Sequence, residues 1–174
     1  MPAVPPSAEV SAPLQTSVEM RGPVAILRFS NPPDGTIALK GAKQLLDQLT
    51  ALLANDTVRA VVLSGGQPGV FIRHADVAQI SRAAEALAEH RIEPQCFVDG
   101  VFPRLGHAIE QADKPVIAAI DGICTGGGFE IALCCTARVV SRAATHIGLP
   151  EIRLGIFPGA PNIYGWVTEV PLSE

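Results

Sequence analysis

The residues best suited to chemistry lie between Lys114 and Pro161. A triple glycine, Gly126-Gly127-Gly128, is followed at once by an apolar run, Phe129 to Cys135, that carries one acid, Glu130; a second acid, Glu151, stands behind Gly148-Leu149-Pro150. Residues without Cβ let the backbone bend sharply and let a ligand approach the peptide N–H groups. If a helix opens at these glycines, its first N–H groups have no partner inside the helix. With the positive end of the helix dipole, they suit an anion or a developing oxyanion. The same glycines also suit a tight strand-to-helix turn with no ligand at all. Glu130 falls on a face that should be apolar, where a carboxylate is costly unless paired or functional; as a solvated first-turn acid it would merely be favoured by the dipole. Glu151 follows a proline, which places it in the first turn of a short helix. Two acids beside a loop of N–H donors can divide acid and base roles between them.

Strands and helices must position these groups. Val116 to Ile120 is an apolar run of strand length leading to Asp121-Gly122 and the glycines. Upstream, Thr16 to Met20 and Val24 to Ser30 read as a hairpin around Arg21-Gly22-Pro23, and Asn31-Pro32-Pro33-Asp34-Gly35 is turn chemistry. Leu45, Leu46, Leu49, Leu52 and Leu53 recur at helical spacing within a helix expected over 39–55. Val58 to Leu63 is expected as a buried parallel strand, which makes strand, helix and strand a βαβ unit. A helix is expected from about Ala75 to Leu87, a polar flap over Glu85 to Gln95, and one helical stretch over Cys96 to Ala112 that Pro103 kinks. Ala137 to Ser141 reads as a strand, with a short extended piece from Thr145 to Gly148.

The order and spacing of these pieces resemble the crotonase (enoyl-CoA hydratase/isomerase) superfamily. The likeness is carried by Lys114-Pro115-Val116-Ile117-Ala118-Ala119-Ile120-Asp121-Gly122, Gly126-Gly127-Gly128-Phe129-Glu130, Gly148-Leu149-Pro150-Glu151 and Leu154-Gly155-Ile156-Phe157-Pro158-Gly159-Ala160. Upstream, Ala60-Val61-Val62-Leu63-Ser64-Gly65-Gly66 and Val70-Phe71-Ile72-Arg73-His74-Ala75-Asp76-Val77 look like the family's first oxyanion-loop segment. The resemblance implies an α/β fold, a spiral of ββα units, with the C-terminal helical part short or missing. In place of the family's Gly-Gly-Thr and following helices this chain reads Pro161-Asn162-Ile163-Tyr164-Gly165-Trp166 and ends at Glu174. A flexible tail is expected over residues 1–15 and one core domain over 16–174.

The resemblance further implies an acyl-CoA thioester as substrate, with coenzyme A part of that substrate and no separate cofactor or metal. The backbone N–H groups of Ala75 and Gly127 would form the oxyanion hole. Glu130 and Glu151 would hold and deprotonate a water and protonate the α-carbon, so hydration of a 2-enoyl-CoA is the favoured reading. A crotonase-type isomerase, a thioester hydrolase and a catalytically weak acyl-CoA-binding homologue stay open beside it. Arg73, His74, Asp76, Gly126 and Gly128 would lie along the substrate. His74 departs from the family, which has a small residue there, and Arg73 faces either a CoA phosphate or solvent. The family's trimers and hexamers imply a homo-oligomer.

Composition bounds these readings. The 174 residues are 48% hydrophobic and 17% charged, enough for one well-packed domain. A formal net charge of −4 and a pI near 5.5 argue against nucleic acid as a partner. No apolar run approaches the roughly 18 residues of a membrane span, and no basic-then-apolar leader opens the chain. Cys96, Cys124, Cys134 and Cys135 form no metal-ligand spacing and read as reduced thiols of a cytoplasmic protein. The glycines do not follow the G-x-G-x-x-G order of a dinucleotide fold.

Overall fold

The computed structural model describes residues 14–159. The expected tail up to residue 13 and the segment from Ala160 to Glu174 lie outside the described residues. The chain runs β1 (Gln15–Arg21), β2 (Val24–Ser30), α1 (Leu39–Ala54), β3 (Ala60–Gly65), β4 (Val70–Ile72), α2 (Val77–Ala88), α3 (Gln95–Val98), α4 (Val101–Glu110), β5 (Val116–Ile120), β6 (Ile123–Thr125), α5 (Gly127–Cys134), β7 (Ala137–Val140), β8 (Ile147–Gly148) and a 3-10 turn, Glu151–Leu154.

Two sheets share these strands. The first has five, in the order β1-β2-β3-β5-β7; the second has three, β4-β6-β8. Among the described strand pairings the β1–β2 hairpin alone is antiparallel. The other pairings, in both sheets, are parallel. Each turn of the chain lays one strand in the first sheet and the next in the second before a helical segment returns it: β3 then β4, β5 then β6, β7 then β8. The first turn follows the same course, because after β2 Ile37 forms a single parallel bridge to Ala75 beside β4. This is the spiral of ββα units that the resemblance implies.

The core explains the order. Alternate residues of β2, β3 and β5 are buried, among them Leu27, Phe29, Val61, Leu63, Val116 and Ile120. Leu45, Leu46, Leu49 and Leu52 of α1 join the same core, with Leu105 and Ile109 of α4. Each such side chain contributes about 1.5–3 kcal/mol by leaving water. Gly41 admits α1 to the sheet, since a Cβ there would lie 2.9 Å from the Phe29 ring.

Several boundaries differ from the sequence reading. α2 begins at Val77 rather than about Ala75, because Ala75 is engaged in the bridge to Ile37 and the Asp76 side chain caps the helix by accepting from the Gln79 N–H. The expected flap over Glu85 to Gln95 is helical as far as Ala88. The stretch from Cys96 to Ala112 is two helices separated at Asp99 and Gly100, not one kinked at Pro103. Pro103 sits in the first turn of α4, where its missing N–H would have had no helical partner. β4 and β6 have no counterpart in the sequence reading; each is only three residues long.

Candidate active site

The second sheet delivers the chemistry-bearing residues to one place. α5 opens at Gly127 with Gly126 as its N-cap, and its ladder starts with the Glu130 N–H on the Gly126 carbonyl at 2.9 Å. Gly126 has φ +49°, a conformation that glycine adopts without penalty. A Cβ on Gly126 would lie 2.9 Å from Glu151 Oε1 and 3.3 Å from the His74 Cβ. A Cβ on Gly128 would stand 2.1 Å from the Ile72 carbonyl oxygen, so β4 and α5 can approach only across a glycine. The space a Cβ on Gly127 would take is 3.3 Å from the Ala75 nitrogen. The two segments therefore converge at Ala75, Gly126 and Gly127, with Glu151 and His74 against them.

Backbone geometry orients the amides. The His74 carbonyl accepts from the Ile37 N–H at 2.8 Å, and the Asp76 N–H donates to the Ile37 carbonyl at 3.0 Å. In a trans peptide the N–H points opposite to the C=O. With the His74 carbonyl turned to Ile37, the Ala75 N–H faces the other way, towards α5. Neither the Ala75 nor the Gly127 N–H has an acceptor among the described residues.

Glu151 is the first residue of the 3-10 turn and is 9% exposed, and its Oε2 has no hydrogen-bond partner among the described residues. An unpaired polar atom at such burial is costly and calls for a reason, such as a catalytic role or a bound water or ion. Glu130 is half-buried in the first turn of α5, one helical turn beyond the glycine that Glu151 touches. Both acids thus flank the N-terminus of one helix.

The other candidates are placed differently. His74 is half-buried and its Nδ1 lies 2.7 Å from the Ala75 carbonyl oxygen. A carbonyl only accepts, so Nδ1 carries the proton and, in the neutral ring, Nε2 is the accepting nitrogen. Arg73 Nε donates to the Asp34 carbonyl at 2.8 Å, which ties the guanidinium to the turn after β2. Asp76 is occupied as the cap of α2. The sequence reading missed Ile37 and Thr125. Thr125 gives its N–H, at 2.9 Å, and its hydroxyl to the Arg73 carbonyl. Its place directly before the glycines was the available signal; nothing in the sequence marks Ile37. Among the described residues no group of His, Cys, Asp and Glu is arranged to hold a metal ion, and no helix is long and apolar enough to cross a membrane.

A groove of about 970 Å³ lies elsewhere, between α1 and α4, lined by Leu46, Ala51, Val98, Pro103, Arg104 and His107. It contains none of the residues above. The site is assigned by its buried acid and unpaired amides, which bear on chemistry as the size of an open groove does not.

Residues 19–174 match the family model for enoyl-CoA hydratase/isomerase. The chain belongs to this family. It is 35% identical over 140 residues to the fatty acid oxidation complex subunit alpha of Idiomarina loihiensis, covering 79% of this chain and 19% of that protein. It is 34% identical over 140 residues to the human peroxisomal bifunctional enzyme, covering 79% of this chain and 17% of that one. Enoyl-CoA hydratase from Bacillus anthracis superposes with a TM-score of 0.73 at 26% identity, over 91% of this chain and 59% of that one. The α/β spiral is thus the crotonase fold. The chain spans about a fifth of the length of the first two relatives and just over half of the third.

Proposed function

We propose that this chain binds the thioester of a 2-enoyl-CoA and adds water across its double bond. The observation that carries the reading is the buried Glu151 carboxyl, with Oε2 unpartnered among the described residues, against the glycine that caps α5. The Ala75 and Gly127 N–H groups receive the thioester oxygen. Attack of water at the β-carbon pushes the π electrons towards that oxygen, and fixed amides stabilise the enolate without reorganising. One glutamate takes the proton of the attacking water; the other gives a proton to the α-carbon. The net change is the addition of one water, and coenzyme A stays attached. The fatty acid oxidation named for the relatives supports a fatty acyl thioester as the substrate.

The test follows the absorbance of the conjugated thioester of crotonyl-CoA and of a longer 2-enoyl-CoA with the purified chain. Loss of absorbance is expected, falling by about 10²–10⁴-fold in Glu130→Gln and in Glu151→Gln, the range for removing a general acid or base. Turnover that survives both changes sinks the two-glutamate mechanism. His74 beside Gly126 supports a second reading, binding without turnover, which predicts saturable uptake of CoA esters and unchanged absorbance.

A further inference from the structure

Thr125 has no role in the mechanism above, yet it joins the two halves of the proposed oxyanion hole. The ladder between β4 and β6 is short and irregular: Val70 pairs with Ile123 and Ile72 with Cys124, with a register shift between them. Just beyond this ladder, Arg73 leads to Ala75 and Thr125 leads to Gly127. Here the Arg73 carbonyl accepts two bonds from one residue, the N–H and the hydroxyl of Thr125. The next peptide along, His74–Ala75, is held on its other side by Ile37. On the α5 side the Gly126 N–H donates to the Gly148 carbonyl at 2.9 Å, which fixes the residue between Thr125 and Gly127. The backbone bond of Thr125 is available to any residue but proline. Its hydroxyl bond is particular to a serine or threonine and doubles the backbone bond just past the last β4–β6 pair, Ile72 with Cys124.

We propose that Thr125 is a positioning residue whose hydroxyl, bonded to the Arg73 carbonyl, fixes the separation of the Ala75 and Gly127 N–H groups around a thioester oxygen. The inference rests on the hydratase reading. Two donors stabilise a developing oxyanion only if both meet the same oxygen at hydrogen-bond distance. A site loosened here still binds the CoA portion of its ligand and loses the polarisation of the carbonyl.

The experiment compares the full chain with Thr125→Val, which keeps the branched shape without the hydroxyl, and Thr125→Ser, which keeps the hydroxyl. The probe is a cinnamoyl-CoA bearing a para-dimethylamino group, whose absorption moves to the red when its thioester carbonyl is polarised. Thermal melting checks that each variant is folded. Expected are a red shift in the parent chain and in Thr125→Ser, a much smaller shift in folded Thr125→Val, and probe affinity held within about threefold. With crotonyl-CoA, kcat of Thr125→Val should fall about tenfold with KM little changed, since a contact made better in the transition state is what weakens. A full red shift in Thr125→Val overturns the assignment while leaving the hydratase reading intact. If Thr125→Val is unfolded and Thr125→Ser, folded, loses the shift, the hydroxyl is not the positioning group and the assignment also falls. Absence of the shift in the parent chain removes the oxyanion hole itself, and the inference with it.

Discussion

The two sheets share one spiral and are built on opposite principles. The five-stranded sheet has strands of up to seven residues, continuously paired, and its central strands β2, β3 and β5 are buried at alternate positions. The three-stranded sheet has strands of two or three residues, with glycines at its junctions and amides that no described residue accepts. A long strand between two neighbours has its backbone N–H and C=O groups paired across to them and leaves nothing for a ligand. A strand that stops after three residues leaves N–H groups free, and glycines let two such ends come together. On the proposed reading, stability and chemistry fall to different strands of the same turn: two residues, Asp121 and Gly122, separate β5 from β6, and four separate β3, which ends at Gly65, from β4. Both glycines are required there, since a Cβ on either would come within 1.9 Å of backbone atoms of the β3–β4 connection or of β4 itself.

That contrast is broken most directly at Glu151. If the second sheet is specialised for chemistry, Glu151→Gln should lower turnover by about 10²–10⁴-fold without lowering stability. The substitution removes a charge whose Oε2 finds no partner among the described residues. Such a charge adds little to folding, so the midpoint of urea unfolding should stay level or rise. A variant both inactive and several kcal/mol less stable would show that Glu151 is a structural acid and that the two sheets are not so divided.

The converse substitution is Leu105→Ala. Leu105 is fully buried in α4 and belongs to the core beneath the first sheet. Truncation should cost about 2–5 kcal/mol, the transfer of the lost methyl groups plus the cavity they leave. Turnover by the folded fraction should stay within about twofold of the parent, because no site residue lies on α4. Urea unfolding together with crotonyl-CoA hydration at low temperature reads both quantities. A specific loss of kcat in fully folded protein would join α4 to the site and blur the distinction.

The same contrast explains what the sequence disclosed. Runs with a period are legible: Val116–Ile120 and the leucines of α1 announce their elements because burial on one face imposes spacing. The Gly126–Gly128 triplet and the two acids stood out because apolar surroundings make a carboxylate conspicuous. β4 and β6 were invisible because three residues carry no period. Ile37 was invisible for a deeper reason: it acts through its N–H and C=O, which every residue but proline possesses. Asp76 showed the opposite failure. Its resemblance-based place along the substrate competes with a local role that the fold makes plain, the cap of α2. The break between α3 and α4 was misplaced because Pro103 was read as an interior proline, when its actual position in the first turn is one a helix tolerates.

Alkaline pH offers the gentlest test of the division, because the three buried thiols lie on β6 and at the end of α5 and pack from there into the core shared with the first sheet. Cys124 is on β6, Cys134 ends α5 and Cys135 caps it. Burial pushes each of these thiols from the ordinary 9.0 up to about 12; Cys135 is the second cause for Cys124, as Glu110 is for Cys134. A raised thiol keeps its proton in the folded chain where the unfolded chain has released it. Its contribution to stability is therefore complete below about pH 9 and is lost as pH rises towards 12. Urea unfolding between pH 8 and pH 10.5 should show this decline, and Cys124→Ala should flatten it by one thiol's share while lowering stability modestly at pH 8. Amide exchange resolves where the loss falls. Faster exchange in α5 than in β2 and β3 at high pH would show the site layer opening ahead of the first sheet. Uniform acceleration would mean that the two layers, though built differently, unfold as one unit.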